Sequence, residues 1–219
     1  MAIRSPHCDA LRILFILKAG GSPIISEEND EVLVFKGEQR LQAFDFWMRN
    51  PDYLAAELID LYHKTKEYKY YKIAKKILDD EEPDLRRIPM IRYLFGAYER
   101  LDDALSILRY RDLIRITGNK RSDGKVAETD FILTCLGSDL CSNAILQEPS
   151  LRWYEERSLL VAEVAGDMGG TALKHRQYER TTYAKTKLGG VIPSIVNEIS
   201  EQLAKIEINI QEEPYAIEK

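Results

Sequence analysis

The chain has 219 residues, 31 basic and 36 acidic side chains, and a net charge of −5. That length suits one large domain or two small ones. The acidic balance argues against a surface given over to nucleic acid, so any such contact has to rest on local patches. The three cysteines, Cys8, Cys135 and Cys141, form no Cys-x-x-Cys pair, which argues against a disulfide framework and for a reducing compartment.

Residues 9–19 read as a buried helix capped by Asp9 and stopped at Gly20-Gly21. Its apolar run, 13–17, is too short for the core of a signal peptide or for a bilayer span, so a cytoplasmic location without a membrane partner is expected. Two β-rich runs at 23–25 and 32–35 predict a small hairpin. Helical spacing returns over 37–49 through Leu41, Phe44 and Met48. Asn50-Pro51-Asp52 then ends that helix and starts another that runs to about Lys64. A helix over 66–78 and an acidic break over 79–84 follow, then helices over 88–98 and 101–110. Strands at 113–117 and 126–134 flank a turn at 118–124, and a helix over about 138–146 ends at Pro149. The last third predicts helices over 150–165, 171–187 and 194–210. The fold class expected is therefore mostly α with small β-hairpins (α+β).

The stretch 101–140 is the most informative. An apolar-periodic helix carrying Leu105 and Leu108 runs into Asp112-Leu113-Ile114. A strand, a polar turn and a second strand follow, ending in Leu133-Thr134 with Gly137 three residues on. Thr134 suits the cap of the next helix, and Leu105, Leu108, Ile114 and Leu133 are expected to lie buried together. An ordinary helix plus hairpin of another α+β fold fits the same pattern. The stretch resembles the winged-helix proteins of prokaryotes, whose pattern is helix, Gly-Leu-Ile strand, wing, then Leu-Thr-x-x-Gly and a helix. Asp112 stands where that family often has glycine. The resemblance implies a winged-helix domain over 85–148. An N-terminal helical domain over 1–84 and a helical extension over 149–219 would flank it. A short likeness between 9–14 and 103–108 allows 1–84 to hold a second module of that kind.

In a winged helix the helix before the hairpin enters the DNA groove. Here it carries Asp102 and Asp103, which repel phosphate, so protein contact is expected there, with sequence-specific DNA reading absent. The wing carries Lys120, Arg121 and Lys125 against Asp123, a candidate for non-specific phosphate contact or simply a solvated turn. Residues 64–76 hold six lysines and one glutamate with Tyr68, Tyr70 and Tyr71 between them. They read as a solvated helix face or as a stacking surface for nucleic acid. The second candidate patch is 174–187, where Lys174, Arg176, Arg180, Lys185 and Lys187 face only Glu179. Phe46, Trp47 and Arg49 are the candidate partner anchors, because one helix face cannot bury Phe44, Phe46 and Trp47 together and aromatics with arginine dominate interfaces; the same pattern fits a tightly packed helical domain in which all of them are core.

No catalytic residue, metal or cofactor is expected. His7, His63 and His175 stand far apart, and there is no His-Glu-x-x-His, no paired Cys–His spacing and no Gly-x-Ser-x-Gly. The Gly-Asp-Met-Gly-Gly run at 166–170 lacks the lysine and the preceding strand of a phosphate loop and reads as a helix break. A site assembled from distant residues stays open.

Residues 35–55 and 173–193 resemble segments of the accessory, or middle, subunits of prokaryotic defence systems built on an SMC-like ABC ATPase, such as Lamassu. The strings that carry the likeness are Asp45-Phe46-Trp47-x-Arg49-x-Pro51-Asp52-Tyr53 and Gln177-Tyr178 through Tyr183-Ala184 to Ile192-Pro193. The resemblance implies a non-enzymatic subunit that sits on the ATPase and helps restrain an effector nuclease until foreign DNA is sensed. The rival expectation is a dimeric winged-helix transcriptional regulator.

Overall fold

The computed structural model describes residues 5–24, 30–94, 96–120 and 126–212. Helix α1 (Pro6–Gly20) starts on Ser5, whose hydroxyl accepts from the His7 amide, with Pro6 in the first turn. The cap is thus Ser5, and Asp9 instead lies inside the first turn, where it receives Arg12 at 2.6 Å. Ile13, Leu14, Phe15, Ile16 and Leu17 are all buried, so the middle of α1 is enclosed on every side.

Strands β1 (Ser22–Pro23) and β2 (Glu31–Lys36) follow, then helices α2 (Glu38–Arg49), α3 (Pro51–Thr65), α4 (Tyr68–Asp79) and the single turn α5 (Glu82–Leu85). The segment expected as a helix over 88–98 is instead a hairpin of β3 (Ile91–Tyr93) and β4 (Gly96–Tyr98). Gly96 takes φ +119°, Pro89 precedes the hairpin, and side chains alternate, Ile91 and Tyr93 outward and Arg92 inward. A period of two over so few residues is not distinguishable from helical spacing in the sequence.

Helix α6 (Asp102–Tyr110) leads into β5 (Ile114–Lys120), which pairs antiparallel with β6 (Val126–Thr134). The first residues of the expected turn belong to β5: Gly118 sits opposite Thr129 and Asn119 opposite Glu128. Then come α7 (Cys135–Gln147), α8 (Arg152–Ala165), α9 (Gly170–Tyr178), α10 (Thr181–Lys185) and α11 (Val196–Glu212). The expected helix over 171–187 is two, broken at Arg180, whose ψ of 112° leaves helical space just before two β-branched threonines. The result is a mostly α, α+β fold.

The four-stranded sheet has the order β1-β2-β6-β5. Val34 pairs with Ile132 and Phe35 with Phe131, so an N-terminal strand lies beside the hairpin of the middle segment. Helix α1 packs on α6, α7 and α8, and α8 packs on α2. The boundaries expected at 84 and 148 therefore do not part the fold into self-contained units. The N-terminal strands complete the same sheet and build no second one of their own. Leu108, Ile114 and Leu133 are buried in one core, and Leu105 packs against it half-buried.

Candidate interaction surfaces

The motif at 112–137 works as a clasp. Asp112 adopts φ +58°, the left-handed conformation that favours glycine and tolerates aspartate. The Thr134 hydroxyl lies 2.8 Å from the Asp112 carbonyl and 3.1 Å from the Leu113 carbonyl, and it accepts the Gly137 amide at 3.1 Å. A Cβ on Gly137 would meet the Leu113 carbonyl oxygen at 2.3 Å, so only glycine lets α7 approach the end of α6 so closely. On α7, Gly137, Cys141 and Ile145 form the buried stripe. Burial pushes the Cys141 thiol up to about 12, as suits an inert core residue.

Leu136 and Leu140 are left 56% and 39% exposed on the flank of that stripe. They line an open apolar groove of about 500 Å³ between α1, α6 and α7, with Leu11 and Ile107 on its other walls and His7 and Arg111 at its rim. The remaining outward side of α6 carries Asp102, Asp103, Ser106 and Arg109, with Asp102 paired to Arg100 at 2.9 Å.

The expected partner anchors lie elsewhere. Phe46 and Trp47 are fully buried and Arg49 is 1% exposed, so none is available to a partner. The expectation assumed that α2 buries one face, whereas α1, α3, α8, α9 and the sheets surround it and residues 41–49 are all buried. Phe46 meets Tyr53 and Tyr183 edge-on, with ring centroids 4.9 and 5.5 Å apart. Arg49 donates to the carbonyls of Ile88 and Pro89 and to the Glu99 carboxylate at 2.9 Å. The two strings that carry the family resemblance thus meet in the interior. The Tyr53 hydroxyl donates to Pro193, and Asp52 accepts from the Ser194 hydroxyl at 2.7 Å and the Ile195 amide at 2.8 Å.

The basic candidates divide. Arg176 and Arg180 both bind the buried Glu57, and Arg180 also binds Asp60, so their charge is met within the chain. Lys174 donates to the Leu94 carbonyl at 3.3 Å and lies over the Tyr178 ring, whereas Lys185 is exposed. Arg121 and Lys125 lie outside the described residues, as does the side chain of Lys120. On α4, Lys69 binds Glu163, Lys75 binds Glu207, and Lys72 sits over Tyr68, so acidic neighbours offset much of that lysine face.

Two buried carboxylates each receive two arginines, with opposite results. Burial alone would raise Asp45, but Arg12 at 2.6 Å and Arg49 at 3.3 Å hold it below the ordinary carboxylate range. For Glu57 burial outweighs Arg180 and Arg176, and its carboxyl is pushed up. The arginines on Asp45 are almost wholly buried, whereas those on Glu57 stay partly in water, which screens them.

At 166–170 Gly166 ends α8 with φ +52°, and Gly170 serves packing. A Cβ on Gly170 would lie 2.6 Å from the Gln39 side chain and 2.8 Å from the Arg40 amide, so the start of α9 is pressed onto α2. Among the described residues no group of three or more His, Cys, Asp or Glu could hold a metal ion, and no helix is long and apolar enough to cross a membrane. Sequence reasoning missed the groove and its two leucines. The available signal was the small-residue spacing of Gly137 and Cys141, which marks the inner face of α7 and so turns Leu136 and Leu140 outward. No family model, curated protein or solved structure matches the chain.

Proposed function

We propose that the chain is a non-enzymatic winged-helix accessory subunit of a multiprotein, DNA-sensing, SMC-like ATPase defence complex. In this reading α1, β2, α2, α6, β5 and β6 form the winged-helix frame, and residues 51–100 are an insertion between its second and third helices. The groove between α1, α6 and α7 carries the reading: the third helix spends Ile107 and Leu108 on an apolar site, while its outward aspartates disfavour phosphate. The occupant proposed is an apolar segment of the ATPase subunit, with the effector nuclease held in the same assembly and DNA touched only without sequence preference.

Co-expression with the products of neighbouring genes, followed by size-exclusion chromatography at low and high salt, tests this. The subunit is expected to co-elute with a coiled-coil ATPase, and Leu136→Asp with Leu140→Asp is expected to release it without unfolding it. Elution as a monomer at both salts with every neighbour present defeats the reading. Selection of a discrete operator from a random DNA library by the purified chain favours the dimeric transcriptional regulator instead.

A further inference from the structure

A second surface lies far from the groove residues in sequence and has a different chemistry. Strand β3 is hydrogen-bonded on both edges. On one side it pairs with β4. On the other the Arg92 amide donates to Gly190, the Gly189 amide donates back to the Arg92 carbonyl at 2.8 Å, and the Ile192 amide donates to Met90. Arg92 points inward, donating to the Ala184 carbonyl and lying over the Tyr178 ring. The outward side of β3 is apolar, with Ile91 and Tyr93 40% and 45% exposed and Val191, directly across from Ile91, 59% exposed; just beyond the paired residues, Leu94 and Leu188 are 57% and 60% exposed. Such a contiguous patch is uncommon on a surface that meets only water.

The charge of the two segments that build the patch is one-sided, although Arg92 points inward and Arg86 stacks over Trp153. These segments, 86–94 and 182–195, contain five arginines or lysines and no aspartate or glutamate, in a chain whose net charge is −5. Exposed Lys187 adjoins Leu188, Lys185 precedes it, and Lys174 reaches the Leu94 carbonyl at the patch edge. Arg87 donates to the carbonyl of Ile192, next to Val191.

We infer that this surface docks an acidic, apolar-striped helix of a partner protein. With both edges of β3 taken, the occupant brings side chains rather than a strand, and an apolar-striped helix supplies those. Its glutamates or aspartates face Lys185 and Lys187, and the basic rim speeds the encounter at low salt.

The probe is a synthetic fluorescent helical peptide with leucine at every third or fourth position and glutamate elsewhere, titrated against the full chain by anisotropy. Saturable binding is expected, weakened at least tenfold by Lys185→Glu with Lys187→Glu at low salt, and less so at high salt. Leu188→Asp should weaken it at both salts. Leu188→Ser, with its fold checked by circular dichroism, serves if the aspartate variant unfolds. The groove variant Leu136→Asp with Leu140→Asp should bind the peptide as the parent does. No saturable binding, indifference to Leu188 and Lys187, or equal binding of a lysine-for-glutamate peptide overturns the inference. Flotation of the chain on phosphatidylglycerol vesicles through the same residues also overturns it and assigns the patch to lipid. None of these results bears on co-elution with an ATPase, so the two proposals fail separately.

Discussion

The segment from Phe44 to Glu57 and the flank of α7 invert what their composition advertises. The first holds four aromatics, three acids and Arg49, the usual ingredients of an interface, yet it is interior throughout. The second reads as an ordinary leucine helix, yet it leaves Leu136 and Leu140 to solvent beside a groove. The difference lies in what each segment finds elsewhere in the chain. Asp45 finds Arg12, Arg49 finds Glu99, and Phe46 finds Tyr183, so their polarity and area are consumed internally. Among the described residues Leu136 finds no cover over more than half of its surface and Leu140 none over more than a third.

Substitutions in the two regions should separate widely. Asp45→Ala leaves Arg12 and Arg49 buried without their shared counter-charge and should cost about 3–5 kcal/mol, read from urea unfolding. Leu108→Ala, in the buried wall behind the groove, should cost on the order of 2–5 kcal/mol. Arg180→Ala removes one of two arginines on Glu57 in a partly wet setting and should cost about 1–3 kcal/mol. Leu136→Asp should change stability by no more than about 0.5 kcal/mol while abolishing partner binding. A large loss of stability there would mean that the groove is closed in solution, and the contrast between the regions would collapse.

Acid sharpens the same contrast. Asp45 is held below its unfolded value of about 3.9, so its contribution is complete above that pH and is lost as pH falls through the lower folded value. Glu57 behaves oppositely. The fold keeps its proton longer than the unfolded chain does, so stability gained from its protonation rises as pH drops from the raised folded value toward the ordinary one. A series of urea midpoints against pH should show that rise in the parent and not in Glu57→Gln. Identical curves would place Glu57 as an ordinary ionised partner of its arginines.

Local chemistry was legible in the sequence wherever it decided the structure. The helix at 101–110, the strands flanking 118–124 and the Thr134 cap all follow from spacing and capping, and Asp112 marks its left-handed turn by standing where glycine is usual. What failed depended on distant partners. The carboxylate that neutralises Arg176 lies 119 positions away, and Arg12, besides Asp9 on its own helix, meets Asp45 33 positions away. Nothing near 174–187 announces Glu57, and nothing near Phe46 announces Tyr183. The hairpin at 91–98 was missed for a local reason, because its alternation is short and helix-like apolar residues fill it.

The pairing of β2 with β6 has a consequence for how the chain acquires its fold. Val34 must find Ile132 across nearly a hundred residues, a contact of high order whose closure entropy is met late. During synthesis β2 emerges with β1 but long before its other neighbour, β6, exists, next to helices that can already collapse around α2 and α3. The pairing of β2 with β6 therefore cannot form before residue 134 is available, and α8 and α9 pack on α1 and α2 only after that. A chain cut before residue 126 keeps β2 as a bare edge strand, open to association with other chains.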